Sequence, residues 1–168
     1  MVYFVRTAGE RDLEKVRALL VESFHATYDS LHGKARVDEL TAQLFSTAAL
    51  KTRLVRKDAE FLVADDGRKI GGMGYAAMSQ ELTKTVMLHL LYVAPALQRQ
   101  GIGRDLFAEL ETCFPDAEIM RLEVEPQNAA AIAFYQAHGF AEVGRNENSA
   151  PGQSGIPALI FEKTLEGH

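Results

Sequence analysis

The segment from Thr85 to Arg104 constrains this chain more than any other. Thr85 to Val93 is apolar at nearly every position, which predicts a strand buried on both faces and central in its sheet, and Pro95 stops it. Beyond it, Gly101 and Gly103 open an apolar stripe of Ile102, Leu106, Phe107, Leu110 and Phe114, recurring at helical spacing. A strand, a glycine turn and a helix in this order let successive backbone N–H groups approach a ligand at the positive end of the helix dipole. That chemistry suits an anion, most naturally a pyrophosphate, and Arg99 and Arg104 flank it with positive charge.

Three readings of the turn compete. A dinucleotide fingerprint, G-x-G-x-x-G directly after its strand, requires a glycine where Leu106 stands, and Ala96 to Gln100 intervene before Gly101. The acidic residue such a fold places farther on would be Glu123, a poor substitute for the missing glycine. A P-loop requires Lys and Ser or Thr after the glycines, and neither follows. The third reading is a turn that merely starts a helix.

The remaining pattern surrounds this unit. Val2 to Arg6 predicts a strand, Thr7 with Glu10 a capping box, and Glu10 to Ser23 a helix on Leu13, Val16, Leu19, Leu20 and Phe24. A second helical stretch is predicted from Val37 to Arg56, after a link at Gly33. Phe61 to Ala64 and Lys69 to Met78 predict a hairpin about Asp65-Asp66-Gly67. Ile119 to Val124 predicts a strand and Asn128 to His138 a helix that ends at Gly139. Ala141 to Arg145 and Pro157 to Thr164 predict two last strands, joined by a loop rich in Gly, Ser and Asn. Strand, two helices, three strands, helix, strand, helix and two strands make an α/β sandwich with a mixed sheet. The 168 residues suit one domain, taken as 2–165.

Eighteen Lys and Arg against 23 Asp and Glu give a net charge of −5, the wrong sign for holding a nucleic-acid backbone, so no nucleic-acid partner is expected. Cys113 is the single cysteine, so no disulfide can form within the chain; it falls on the apolar side of its helix and reads as packing. His25, His32, His138 and His168 show no metal-ligand spacing, and no metal is expected. Ser154 lacks the closing glycine of a nucleophile elbow. No apolar run reaches the roughly 18 residues of a membrane helix and no signal peptide is read, so a cytoplasmic protein without a membrane partner is expected.

Leu91-Tyr92-Val93-Ala94-Pro95-Ala96-Leu97-Gln98-Arg99-Gln100-Gly101-Ile102-Gly103-Arg104 resembles the acyl-coenzyme A signature of the GNAT superfamily of N-acetyltransferases, with Gln98, Gly101 and Gly103 at its core. Downstream, Val124, Asn128, Ala131, Phe134, Tyr135, Gly139 and Phe140 resemble the family's second signature. The resemblance implies a GNAT-like, mostly antiparallel mixed sheet of about six to seven strands with helices on both faces, a three-layer α/β/α fold. It implies acetyl-CoA as cosubstrate, its pyrophosphate on the backbone N–H groups of Gly101, Ile102, Gly103 and Arg104, beside Gln98 and Arg99. Main-chain groups of Leu91 and Val93 would bind the pantetheine arm as an added strand would, and Asn128 would touch the coenzyme while capping its helix. The Leu91 N–H becomes the oxyanion donor and Tyr135 the general acid.

An amine of pKa near ~10.4 must lose a proton before it attacks. By strand alternation Met87, His89, Leu91 and Val93 share one face, which makes His89 a candidate base; a structural histidine is the alternative, and Glu123 is a second candidate. The resemblance implies an acceptor pocket between Phe24 to Gly33 and Asn146 to Ile156; the expected acceptor is a small-molecule primary amine, and Phe24-His25-Ala26-Thr27-Tyr28 resembles the bacterial polyamine acetyltransferase branch. Protein N-terminal or lysine amines are the alternative acceptors. A non-catalytic acyl-coenzyme A or nucleotide-binding module is the rival of another class, and a homodimer is left open.

Overall fold

The computed structural model describes residues 2–149 and 156–165. Seven strands are present: β1 (Phe4–Thr7), β2 (Ala59–Asp65), β3 (Ile70–Met78), β4 (Thr85–Val93), β5 (Ile119–Val124), β6 (Ala141–Ser149) and β7 (Ile156–Thr164). They form one sheet in the order β1-β2-β3-β4-β5-β7-β6, with β4 at its centre as its two-sided apolarity demands. Every neighbouring pair is antiparallel except β4 with β5.

Helices α1 (Leu13–His32), α2 (Lys34–Leu44) and α3 (Thr47–Val55) cover one face, and α4 (Ile102–Thr112) and α5 (Ala129–Ala137) cover the other. The first face packs Val16, Leu20, Phe24 and Phe45 against Val63, Met73, Tyr75 and Leu90. The second packs Leu106, Phe107 and Leu110 against Leu62, Ala76, Val86, Leu88 and Met120. The expected three-layer, mixed and mostly antiparallel fold is the one observed.

Boundaries depart from expectation in four places. The first helix runs past Ser23 to His32, because nothing between them breaks a helix and the chain turns only at Gly33, whose φ is +84°. The predicted stretch from Val37 to Arg56 is two helices: the chain leaves helical geometry at Phe45, and Ser46 caps α3 by accepting the Ala49 N–H at 3.1 Å. Thr7 caps nothing. It pairs with Leu62 in the sheet, while the Asp12 carboxylate accepts the Gly9 N–H at 2.7 Å. The last hairpin is longer than predicted: β6 continues past Arg145 to Ser149, with Asn146 paired with Ala158 and Ser149 with Ile156, and residues 150–155, with Ser154, lie outside the described residues.

Three glycines in β3 do not weaken that strand; two of them set the height of α4 above it. A Cβ on Gly72 would lie 2.9 Å from Cγ2 of Ile102, and one on Gly74 would lie 2.8 Å from Cδ1 of Leu110. Replacing Gly74 with Val should destabilise the fold by about 1–3 kcal/mol, the usual range for overpacking, and weaken any ligand held at the start of α4. Denaturant melts check this, and unchanged stability would mean that α4 has slack.

Candidate active site

The centre of the sheet is open at one end. β4 and β5 pair only from Thr85 to Met87 against Ile119 to Arg121, whereas β5 continues on β7 as far as Val124. From Leu88 to Val93, therefore, β4 has β3 on one side and no strand on the other. Ala94 donates its N–H to Gly71 O at 2.8 Å, so the pair 94/71 is hydrogen-bonded to β3. Hydrogen-bonded and non-hydrogen-bonded pairs alternate along an antiparallel ladder. With Val93 opposite Gly72 and Leu91 opposite Gly74, the N–H and C=O groups of Leu91 and Val93 turn away from β3 and into the opening.

A bulge lies just before these residues. Tyr75 is opposite Leu90 and Ala76 is opposite Leu88, which leaves His89 as the extra residue in β4. The alternation is thereby reset: Val86, Leu88, Leu91 and Val93 all face α4 and α5, while Leu90 and Tyr92 face α1. His89 therefore does not share a face with Leu91 and Val93, contrary to the alternation expected from sequence. It stacks on Tyr75 with ring centres 5.7 Å apart, in a pocket of about 250 Å³ lined also by Thr52, Arg53 and Arg56. Its outer edge meets solvent, yet burial against this wall, then Arg56 and Arg53, hold its pKa below the ordinary value of 6.5, opposed by Glu123 on β5. The ring is neutral at pH 7 and able to accept a proton. Glu123 shares this environment from across the opening, with Asn146 Nδ2 at 3.5 Å from its Oε1.

At the head of the opening the chain makes the glycine turn. Arg99 and Gly101 both take left-handed backbone angles, with φ of +67° and +87°. For Arg99 this carries a strain of about 1 kcal/mol or more, of the kind that concentrates at functional sites. Gln98 points its Nε2 back to Val93 O at 3.5 Å. The first bond of α4 runs from Asp105 N–H to Gly101 O, and Gly101 offers no side-chain cap. The N–H groups of Ile102, Gly103 and Arg104 are thus left without helical partners, at the positive end of the dipole. Gly103 is not required by the protein itself: a Cβ there would meet Val93 and Phe134 at an ordinary 3.5 and 3.6 Å. The N-terminal turn of α4 and the bare edge of β4 fit a pyrophosphate followed by an amide-bearing arm.

The helix after β5 supplies the other wall. Asn128 caps α5, its Oδ1 accepting the Ala131 N–H at 3.3 Å. Tyr135 is half-buried between Phe134 and Phe140, at ring separations of 5.4 and 5.5 Å. Burial, and next the proximity of Tyr28, push its hydroxyl pKa far above the ordinary 10, so it holds its proton at neutral pH. Tyr28 lies against Tyr92 and Asn128, and burial raises the pKa of both tyrosines. Composition and periodicity gave no hint of the clamp beside them. The Glu125 carboxylate, 7% exposed, meets His32 Nε2 at 2.6 Å and ties the end of α1 to the end of β5. An acid directly after a predicted strand was its only mark in the sequence.

The other singled-out residues serve packing or tethering. Cys113 is half-buried, directs its Sγ to Glu109 O at 3.2 Å, and has its thiol pKa pushed up to about 11, chiefly by burial, which leaves it inert. His25 bridges Asp29 at 2.6 Å and Asp38 at 2.9 Å, joining α1 to α2. His138 bonds its own helix at Phe134 O, 2.8 Å away. Among the described residues no three His, Cys, Asp or Glu side chains converge as metal ligands, and no helix is long and apolar enough to cross a membrane.

Residues 28–164 match the sequence profile of the acetyltransferase (GNAT) domain. The chain belongs to the GNAT acetyltransferase family. This acetyltransferase is 36% identical over 119 residues to the N-alpha-acetyltransferase RimI of Mycobacterium tuberculosis, across 65% of its own length and 73% of that relative. It is 26% identical over 149 residues to the peptidyl-lysine N-acetyltransferase YjaB of Salmonella typhimurium, covering 88% and 89% of the two chains. Among solved structures, the PaiA N-acetyltransferase of Thermoplasma acidophilum in complex with coenzyme A superposes with a TM-score of 0.84 over 98% of this chain and 99% of that one, at 24% identity. Family membership makes the protein an acetyl-CoA-dependent N-acetyltransferase.

Gly103→Glu tests the turn. The variant should fold with near-native stability, since the first atom of the new side chain has room, while acetyl-CoA affinity falls by at least about tenfold from bulk and negative charge beside the N–H cluster. Calorimetric titration checks this; native affinity in a folded variant would move the pyrophosphate elsewhere.

Proposed function

We propose that this enzyme acetylates peptide amines, a protein α-amino group or a lysine side chain, by direct attack on acetyl-CoA in a ternary complex. The observation that carries the catalytic reading is the unpaired edge of β4, where the main-chain groups of Leu91 and Val93 face an opening that ends at the uncapped start of α4. The relatives, an N-alpha-acetyltransferase and a peptidyl-lysine N-acetyltransferase, favour a peptide acceptor over the small polyamine-like amine expected from Phe24 to Tyr28. A cytoplasmic location is part of this proposal. Residues 2–165 are proposed to act as one acetyltransferase domain.

In this reading Gly101, Ile102, Gly103 and Arg104 hold the pyrophosphate with their N–H groups, between Gln98, Arg99 and Asn128, and β4 binds the pantetheine amides in place of the missing strand. The acceptor nitrogen attacks the thioester carbon, and the Leu91 N–H stabilises the charge that develops on its oxygen. As the carbon–sulfur bond breaks, Tyr135 gives its proton to the departing sulfur. The acceptor ammonium first gives one proton to His89, with Glu123 across the opening as the alternative base, and the second proton, lost from nitrogen as the amide forms, passes through solvent to restore Tyr135.

Tyr135→Phe keeps the ring and removes the proton, so kcat should fall by about 10²-fold or more while coenzyme affinity holds. Native turnover in that variant would return Tyr135 to packing. Because His89 titrates below about 6.5, kcat/KM should rise with pH through a value under that figure and level off above it. His89→Ala should abolish that limb; a limb of unchanged shape assigns the proton to another group. Coenzyme A release measured with amino-terminal peptides, lysine peptides and small polyamines tests the acceptor, and turnover confined to the polyamines would overturn the peptide reading.

A further inference from the structure

The pocket around the β4 bulge lies on the face of the sheet that α1, α2 and α3 cover. Arg53 and Arg56 from the end of α3, Thr52 one turn before, Tyr75 from β3 and His89 line a space of about 250 Å³. Neither arginine has a carboxylate partner among the described residues. Arg53 is half-buried over the Phe45 ring, 5.5 Å from its centre, and its Nη1 donates to Leu44 O at 2.8 Å, which fixes the guanidinium with its remaining donors unspent. Tyr75 is 2% exposed, and its hydroxyl is buried with no hydrogen-bond partner. A buried hydroxyl left unmatched costs about 1–3 kcal/mol and calls for an explanation. Two arginines without a counter-ion and an orphaned donor around one pocket specify an anion with several acceptor oxygens. Glu123, on β5, is the carboxylate that acts on His89, opposing the two arginines.

His89 precedes Leu91 by two residues, a distance along a strand of about 7 Å. We propose that this pocket is an anion subsite for the acceptor, taking a carboxylate carried within about two residues of the amine, so that the preferred acceptors are acidic peptides. The inference rests on the reading that the acceptor amine is acetylated beside Leu91, but the pocket's taste for anions is independent of it.

Two measurements keep these apart. In the first, glutarate, a dicarboxylate with no amine, is titrated into the whole protein while the His89 ring is followed by NMR. A saturable shift is expected, weakened at least about tenfold by Arg56→Gln. Arg56 is exposed and has no ion pair among the described residues, so this variant should fold. Tyr75→Phe should also weaken the shift while leaving the melting temperature of the free protein equal to or above native, because it removes an unmatched buried group. No saturable shift with the native protein, or equal affinity in Arg56→Gln, would overturn the subsite.

In the second, coenzyme A release is compared between peptides that carry glutamate or glutamine at the second and third positions. A preference of about 10-fold or more for glutamate is expected, lost in Arg56→Gln and partly restored in Arg56→Lys. A preference that survives Arg56→Gln would also overturn the subsite. Free glutamate is included: its acetylation without that of any peptide would sink the peptide reading and leave the subsite standing.

Discussion

The structure depends on where β5 stops pairing with β4. In the middle of a seven-stranded sheet, ladder bonds end after Met87, and the main-chain groups of Leu91 and Val93 are left facing an opening. Unpaired backbone at the heart of a fold is costly unless something satisfies it. The rest of the sheet is arranged around that exception. β5 holds its full register on β7, and β4 holds on β3 as far as Ala94, so only the side facing the opening lacks a strand partner. A ligand with peptide-like amides is the complement of such an edge, and at the head of the edge stands the uncapped N-terminus of α4.

The bulge at His89 divides the labour between the two faces. One inserted residue turns Leu91 and Val93 towards α4 and α5 and turns Leu90 and Tyr92 towards α1. The faces meet again at the opening. Tyr135, from the α5 side, comes within electrostatic reach of Tyr28 and Tyr92 on the α1 side, and the His32–Glu125 contact of 2.6 Å clamps α1 over the same place. In the proposed mechanism Tyr135 and His89 thus approach the reacting atoms from opposite layers.

Glycine does three different jobs around this site. Gly74 yields space so that Leu110 of α4 can rest on β3, Gly101 supplies a left-handed angle at the turn, and Gly103 answers to neither demand. A glycine near the start of a helix that its own protein does not need is the mark of a partner that approaches the backbone closely.

The two local patterns, a buried strand running into a glycine turn and helix, and Asn128 capping the helix that carries Tyr135, were legible in the sequence because each is written within about 20 residues and obeys a fixed period. From them followed the layers, the mixed sheet and the family. The first three helices were read less well: polar residues carry α1 beyond its apolar stripe, and Ser46 looks like any serine until Phe45 breaks the helix before it. What only the tertiary structure decided was which way the chemistry points. A single bulge shifts His89 off the face of Leu91, and no period in one strand records a register set by its neighbour. The convergence of Arg53, Arg56, Tyr75 and His89, and of His32 with Glu125, joins residues far apart in the chain, and such meetings exist only once the sheet has been assembled.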